Sequence, residues 1–501
     1  MGDVFSNLAL GLQTALTLNN LLWVTIGGLL GTIIGMLPGL GPAAGIAVLL
    51  PLVFGMKPST ALITMASIYY GAMFGGSRAS IMINTPGDAS AIATCFDGYP
   101  MTKNGEGGKA LAISAIASFI GGIIAVVLMI FLTQPIASLA LDFGPAEMFS
   151  ILLFALTATV TLSQGKILKG FVSMFIGFML STVGIDPQTG LLRFTFGLVN
   201  LQEGIEFLVV MIGMYAVAEV YKNYIDLSTK YNFDSNSIGN IWITKKEFKR
   251  CLPAILRSTP LGFILGALPG LGGSVAALTA YAVEKQSNKH PEKFGKGAIE
   301  GVAAPEAANN AATTGALIPM LTLGIPGSAT TAIMVGALMM IGIKPGPLLF
   351  LEHPDIAWGV IASMLIGNVV LIIINLPLVV PLVQLLRIPK RILLPLILGL
   401  GFMGTYFLSY SSFDFILLVI FGFFGYLMYK IDIPVAPLVL ALILGSDTEQ
   451  YFRRAMGIAH GSLSIFFTKP ISLAFLILSV TSLVYSIRRE QILKRRMQKR
   501  S

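Results

Sequence analysis

Residues 31–41 read GTIIGMLPGLG, and residues 262–272 read GFILGALPGLG. Both stretches follow the pattern Gly-x-x-x-Gly-x-Leu-Pro-Gly-Leu-Gly, and each one closes an apolar run. A second pair of related stretches follows, INTPGDASA at 83–91 and LGIPGSATT at 323–331. Interrupted helices at corresponding points of two hydrophobic halves are typical of the binding sites of secondary transporters. The sequence therefore predicts a duplicated membrane protein with a site between its halves.

The composition places the chain in a membrane. Of its 501 residues, 55% are apolar and 11% are charged, whereas about 25% of the residues in soluble domains are charged. The mean hydropathy is +0.82. Apolar stretches of about 20 residues, each long enough to cross a bilayer, recur along the chain and predict an all-α polytopic protein with about 10–12 spans. The apolar runs are continuous, which excludes the alternating pattern of a transmembrane β-barrel.

The net charge of +9 comes from basic clusters at 245–250 and 488–500, which lie in hydrophilic gaps. Basic residues beside spans mark the cytoplasmic side, so the C-terminus is expected there, and a contact with lipid headgroups or a partner is the alternative. No lysine or arginine precedes Lys57, so no cleavable signal peptide is expected. The two cysteines and three histidines show no ligand spacing, so neither a metal site nor a cofactor is expected.

The motif spacing defines the expected organisation. Pro269 follows Pro38 by 231 residues and Pro326 follows Pro86 by 240, so the second half has nine extra residues, which we place in 284–297. The first LPGLG segment follows a chain start without basic residues, and the second follows a lysine-rich stretch. Because basic residues mark the cytoplasmic side, the two segments are expected to enter the membrane from opposite sides, and the two repeats are predicted to be inverted. The predicted segments are an interfacial lead at 1–20, transmembrane repeat 1 at 21–221, a cytoplasmic linker at 222–250, transmembrane repeat 2 at 251–430, C-terminal spans at 431–487 and a basic cytoplasmic tail at 488–501.

The LPGLG motifs are the first candidate substrate site. Proline removes a backbone donor and glycine permits positive φ, so each motif is expected to open a helix. Backbone groups freed inside a bilayer must line a polar cavity or pack against protein. A packing kink without a ligand is the alternative. The candidate substrate-binding residues of this pair are Pro38, Gly39, Gly41, Pro269, Gly270 and Gly272.

The second pair of breaks is more polar. Hydroxyl and amide side chains beside exposed backbone N–H groups would make a receptor for carboxylates, and each helix start adds partial positive charge. Hydrogen bonding between helices is the alternative. The candidates are Ser77, Arg78, Asn84, Thr85, Pro86, Gly87, Ser90, Asn309, Asn310, Thr313, Thr314, Pro326, Gly327, Ser328 and Thr330.

Three charged residues lie in or beside this apolar sequence, where charge is costly and points to function. Arg78 suits bidentate pairing with an anionic substrate; a position at the membrane interface or a pair with Asp88 are the alternatives. Asp88 and Glu306 are candidates for holding a coupling ion, Na⁺ or H⁺. Helix capping or a structural ion pair are the alternative roles. Unwound backbone carbonyls favour Na⁺.

The motifs of several enzyme classes are absent from the sequence. It contains no H-E-x-x-H, no G-x-S-x-G and no G-x-x-x-x-G-K-[ST], so neither an enzyme nor an ATP-driven pump is predicted. A passive anion channel or pore is the alternative to a transporter, since re-entrant segments also build pores.

Three stretches carry a family resemblance: GMLPGLG at 35–41, FGGSRASIMINTPGD at 74–88 and GVAAPEAANNAATTGALIPMLTLGIPGSATTAIMVGAL at 301–338. They closely resemble the large permease subunit of tripartite tricarboxylate transporters, the TctA family, and the similarity covers roughly 15–487. The resemblance implies a cation-coupled secondary transporter, a symporter, of the bacterial inner membrane that imports tricarboxylates or related organic carboxylates. It also implies two partners, a periplasmic solute-binding protein and a small membrane subunit of about four spans.

Overall fold

The computed structural model describes residues 2–37, 40–161, 167–224, 238–388, 390–409 and 411–498. Within these ranges the fold is helical, and strand is limited to one hairpin, β1 (Gly184–Ile185) paired antiparallel with β2 (Leu192–Arg193). The prediction of an all-α polytopic membrane protein is confirmed. The helices are α1 (Gly2–Ala15), α2 (Leu18–Met36), α3 (Gly41–Val53), α4 (Pro58–Ile83), α5 (Ile92–Lys103), α6 (Gly107–Leu141), α7 (Pro145–Thr161), α8 (Ile167–Ser181), α9 (Phe207–Met211), α10 (Ala218–Tyr224), α11 (Lys245–Ala267), α12 (Gly272–Ser287), α13 (Ile299–Leu323), α14 (Ala329–Met340), α15 (Leu349–Glu352), α16 (Pro354–Asn375), α17 (Val379–Gln384), α18 (Lys390–Ser409), α19 (Ser412–Lys430), α20 (Ala436–Ile458), α21 (Ile465–Thr468) and α22 (Pro470–Gln498).

Helices of three kinds fill the membrane region. Among the described residues, five helices are long and apolar enough to cross a bilayer: α2, α6, α16, α19 and the first part of α22. Shorter apolar helices include α3, α7, α8 and α14. The 26-residue α4 and the 25-residue α13 are buried along almost their whole length. They are surrounded by protein, which explains how they carry polar side chains within the membrane.

The two halves share a helix pair with the same internal contacts. In each half the helix before the LPGLG break packs closely against the helix before the second break, and successive contacts show that the two run parallel. A Cβ atom added to the glycines would lie about 2 Å from a carbonyl oxygen, so only glycine permits this approach. The contacts are Gly31 with Ile68, Gly35 with Ala72, Gly262 with Ala308 and Gly266 with Ala312. The glycines of the two pairs are 231 residues apart and their partners are 240 apart, which are the offsets of the two pairs of motifs.

At the centre of the molecule, α4 and α13 pack against each other in opposite directions. The Tyr70 hydroxyl lies 2.6 Å from the Thr314 hydroxyl, and Ser77, further along α4, donates to Glu306, which is earlier on α13. The long helix that follows in each half packs on the central helix of the other half. Helix α6 of the first half packs on α13, and α16 of the second half packs on α4. The two halves are therefore interleaved.

The nine extra residues of the second half lie around the α12–α13 connection, where they tie the halves together. Asp97 of α5 is fully buried, and its Oδ1 accepts the backbone N–H groups of Gly295, Lys296, Gly297 and Ala298 at 2.8, 3.1, 2.8 and 2.8 Å. Charge-assisted bonds of this kind are among the stronger hydrogen bonds in proteins. The connection thus holds α5 of the first half in place.

Both ends of the predicted linker at 222–250 are helical. Helix α10 continues to Tyr224, residues 225–237 lie outside the described residues, and α11 begins at Lys245. A capping box starts α11, since the Thr244 hydroxyl accepts from the Glu247 N–H and the Glu247 carboxylate accepts from the Thr244 N–H. The backbone N–H of Thr244 and the Lys109 ammonium lower the pKa of Glu247 to about 2.

Candidate functional site

A cavity of about 250 Å³ lies where the breaks of the two halves meet. Its wall includes the first residues of α3, α12 and α14, together with the short 3-10 turn that leads into α5. It is lined by Pro42, Ala43, Tyr69, Met73, Asp88, Ser90, Thr159, Gly270, Leu271, Gly272, Gly273, Ser274, Pro326, Ser328, Ala329, Thr330, Ala332, Ala436 and Leu440.

The helices after the second pair of breaks have side-chain caps of their own. The Oδ1 atom of Asp88 accepts the N–H groups of Ser90 and Ala91 at 3.2 and 3.3 Å, and the Ser90 hydroxyl at 2.6 Å. At the start of α14, the Ser328 hydroxyl accepts the Thr331 N–H at 3.2 Å. Side chains of the chain therefore satisfy backbone donors at both starts.

The helices after the LPGLG breaks begin differently. The residues at the cap positions of α3 and α12 are Leu40 and Leu271, whose side chains cannot accept a hydrogen bond. The first residues, Gly41 and Gly272, have φ of +56° and +59°, a conformation that favours glycine. The first N–H groups of a helix need an external acceptor, and the helix dipole adds partial positive charge there. These two starts suit an anion.

Asn309 of α13 lies beside this part of the cavity wall. Its side chain is 1% exposed, and neither amide atom has a hydrogen-bond partner among the described residues. A Cβ atom built on Gly273 would lie 2.5 Å from the Asn309 Oδ1 and 3.2 Å from the Ser90 Cβ. Buried amides without a partner are costly, and both amide atoms of Asn309 are therefore free to bond a ligand at the start of α12.

The predicted site residues fall into groups. Those at the cavity wall are Asp88, Ser90, Gly270, Gly272, Pro326, Ser328 and Thr330. Pro269 is buried and Pro86 half-buried within their breaks, while Gly87 and Gly327 pack against the backbones of Gly76 and Ala316. The Thr313 hydroxyl donates to the Asn309 carbonyl, and Thr314 contacts Tyr70. Pro38 and Gly39 lie outside the described residues.

Arg78 and Asn84 lie elsewhere than the cavity wall. The fully buried Arg78 guanidinium donates to the Phe74 carbonyl and, at 3.4 Å, to the Asn375 carbonyl on α16. Asn84 has an exposed side chain and ends α4 at φ +53°. The hydroxyl of its neighbour Thr85 donates to the Ile83 carbonyl. Substrate contacts by these residues stay predictions.

The carboxylate of Glu306 forms a second polar cluster that does not include cavity-wall residues. Its Oε1 accepts the Thr94 hydroxyl, and its Oε2 accepts the hydroxyls of Ser77, Ser114 and Ser118 at 2.7, 3.1 and 3.1 Å. One turn along α13, the Asn310 side-chain nitrogen donates to the Glu306 carbonyl at 3.1 Å. All of these residues are buried.

Sequence reasoning missed several members of both groups. Tyr69 lines the cavity, and its hydroxyl lies 3.2 Å from that of Ser328. Thr94, Ser114 and Ser118 complete the Glu306 cluster. The spacing of Ser114 and Ser118, one turn apart in the long apolar helix α6, was an available signal.

Comparison with known proteins identifies the family. The model of the "Tripartite tricarboxylate transporter TctA family" matches residues 21–440. This chain belongs to the TctA family. The resemblance found in the sequence is confirmed.

Two proteins similar to this chain come from Agrobacterium vitis. One is described as an uncharacterized 52.8 kDa protein in the TAR-I ttuC' 3' region and is 43% identical over 487 residues, 97% of each chain. The other, described as an uncharacterized protein in the TAR-II ttuC' 3' region, is 43% identical over 226 residues, which is 45% of this chain and 93% of the relative. No solved structure matches this TctA chain.

Membership has direct consequences. TctA is a family of transporters, so this chain is a multi-pass membrane permease component of a tricarboxylate transporter. The tripartite family name also implies further components beside the permease.

Proposed function

We propose that this chain is the permease of a cation-coupled symporter that imports tricarboxylates or related organic carboxylates. Substrate carboxylate groups bind at the starts of α3 and α12, and the Asn309 amide completes the receptor. The observation that carries the proposal is the meeting of two helix starts with leucine caps at one cavity, since backbone N–H groups and helix dipoles stabilise anions.

Alternating access requires two halves that exchange their roles, and we propose inverted repeats for this purpose. The opposite directions of α4 and α13, together with the parallel pairs α2–α4 and α11–α13, support this arrangement. Transport then proceeds by movement of the break-bearing helices, whose breaks line the cavity, against the remaining spans.

The proposed location is the bacterial inner membrane, with the C-terminus in the cytoplasm. Lys109, at the start of α6, forms an ion pair with Glu247 in the basic segment. Helix α7 follows α6; its Ser150 contacts Ser472 near the start of α22, and its last residue, Thr161, accepts from Ser486. Helix α22 thus returns toward the end that holds the basic segment, which agrees with the positive-inside rule.

The proposed partners are a periplasmic binding protein that delivers the carboxylate and a small membrane subunit of about four spans. Proteoliposomes containing all three components should accumulate labelled carboxylates under imposed Na⁺ or proton gradients. We expect saturable uptake that requires both partners. Sustained single-channel currents from this chain alone would instead identify a passive anion channel.

A pair of buried asparagines tests the receptor. Asn309→Leu should raise the KM for the carboxylate about ten-fold or more, because a lost hydrogen bond to a buried charged group costs roughly 1–3 kcal/mol. Asn368→Leu is the matched control, since Asn368 is also buried, in α16, with an unpaired Oδ1 among the described residues. Equal KM values for the two variants would contradict the assignment.

A further inference from the structure

We infer that Glu306 and the four hydroxyl groups around it form the Na⁺ site of the transporter, separate from the substrate cavity. The inference rests on the proposed symport and names the residues that hold the coupling ion. The hydroxyls belong to Ser77, Thr94, Ser114 and Ser118.

The cluster gathers hard oxygen ligands from four helices around one carboxylate. Glu306 is on α13, and the hydroxyls come from α4, α5 and α6. Three of the four lie 2.7–3.1 Å from the same oxygen, Oε2. Hard cations prefer carboxylate and other oxygen ligands in such numbers, whereas a proton needs only a single acceptor. The arrangement therefore favours a metal cation over H⁺.

The buried negative charge of Glu306 would also be stabilised by a bound cation. The residue is 1% exposed, and among the described residues no lysine, arginine or histidine nitrogen lies within 4.0 Å of its carboxylate. Arg78 attracts this carboxylate from a longer distance, but its guanidinium donates to the carbonyls of Phe74 and Asn375. A buried carboxylate whose charge has no cation in direct contact is costly inside a membrane, even when hydroxyl groups donate to it.

The Ser77 hydroxyl is able to turn its hydrogen away from the carboxylate. The Ser77 oxygen also lies 3.4 Å from the carbonyl oxygens of Met73 and Phe74 on its own helix. Donation to these carbonyls, a common arrangement for serine in helices, leaves a lone pair for a cation. The Ser77 hydroxyl thus serves as a donor to Glu306 without the ion and as a ligand with it.

The position of the cluster explains how ion binding affects the substrate cavity. Glu306 and Asn309 are one turn apart on α13, and Thr94 lies one turn after Ser90 of the cavity wall. A cation that draws Ser77, Thr94 and Glu306 together therefore fixes helices on both sides of the 84–88 break. Ordering of one site by a ligand at the other gives positive coupling without a direct contact.

Thermal unfolding of the purified full chain tests this site without substrate or partners. NaCl, at constant ionic strength against choline chloride, should raise the Tm of the wild type in a saturable way. Ser118→Ala should raise the half-saturating Na⁺ concentration about ten-fold, as expected for a lost ligand, and Glu306→Gln should abolish the Na⁺ effect. Ser363→Ala, at a buried serine of α16 that donates to Val360, is the matched control and should behave as the wild type.

Each outcome decides the assignment. A wild-type Tm that responds to pH but not to Na⁺ would overturn it in favour of a proton site, and an unchanged Na⁺ response in Ser118→Ala would overturn it as well. If Glu306→Gln does not fold, Ser114→Ala and Ser118→Ala decide the matter. Failure of the proposed function is distinguishable, because it would leave the Na⁺ effect intact while the three-component proteoliposomes accumulate no carboxylate.

Discussion

The two pairs of helix breaks differ in how their helix starts are satisfied. Helices α3 and α12 follow leucines that cannot cap them, whereas α14 and the turn before α5 are capped by Ser328 and Asp88. The capped starts satisfy their donors within the chain, and the other two present donors to a ligand. The difference supports the proposal that substrate carboxylates bind at the LPGLG breaks, while Asp88 and Ser328 at the second breaks act as helix caps.

The same comparison separates the two candidate carboxylates. Asp88 and Ser328 occupy equivalent positions, with φ of −145° and −152° and the same capping role. A neutral serine caps the helix start in one half as the aspartate does in the other, so the capping role alone explains the carboxylate at position 88. Glu306 has no counterpart of this kind, because Ala66 stands 240 residues earlier, at the equivalent position.

The largest expected effect tests the backbone geometry of an LPGLG break. Gly270 has φ +86°, and an added Cβ would lie 2.9 Å from the Thr159 backbone nitrogen. Gly270→Ala therefore combines left-handed strain of about 1–2 kcal/mol with a backbone clash of about 1–3 kcal/mol. We expect uptake to fall by roughly 100-fold or more, with a lower Tm.

Gly190→Ala is the control for this variant. Gly190 has φ +70°, but nothing lies within 4 Å of its added Cβ, so only the strain remains. Similar losses in the two variants would show that strain alone explains the effect and that the close contact at the break is unimportant.

A smaller effect is expected from exchanging the caps. Asp88→Ser copies Ser328 into the first half and should keep both stability and Na⁺-driven accumulation. Asp88→Ala removes the cap and should lower the free energy of unfolding by about 1 kcal/mol, which thermal unfolding would report. Asp88→Ser with a normal Tm but no accumulation would contradict the comparison and place the coupling ion at Asp88.

The breaks could be predicted from sequence, because proline and glycine determine them locally and the repeat showed their spacing. The partners of Glu306 could not, since Ser77, Ser114 and Ser118 are about 190–230 residues away and meet it only through the packing of α4 and α6 on α13. The start of α11 was predictable but was missed, because the Thr-x-x-Glu pattern at 244–247 lay in a stretch that was interpreted as a linker.

The smallest effect concerns Asn84, which sequence reasoning placed in the receptor. It ends α4 at φ +53°, as Gly324 ends α13 at φ +72°, 240 residues later. Asn84→Gly should therefore transport as the wild type does, since glycine takes this conformation readily. Asn84→Leu should lose about 1–2 kcal/mol of stability from left-handed strain and show a lower Tm with an unchanged KM. A KM raised ten-fold by Asn84→Gly, with a normal Tm, would instead mean that the amide contacts the carboxylate and that this capped break also binds substrate.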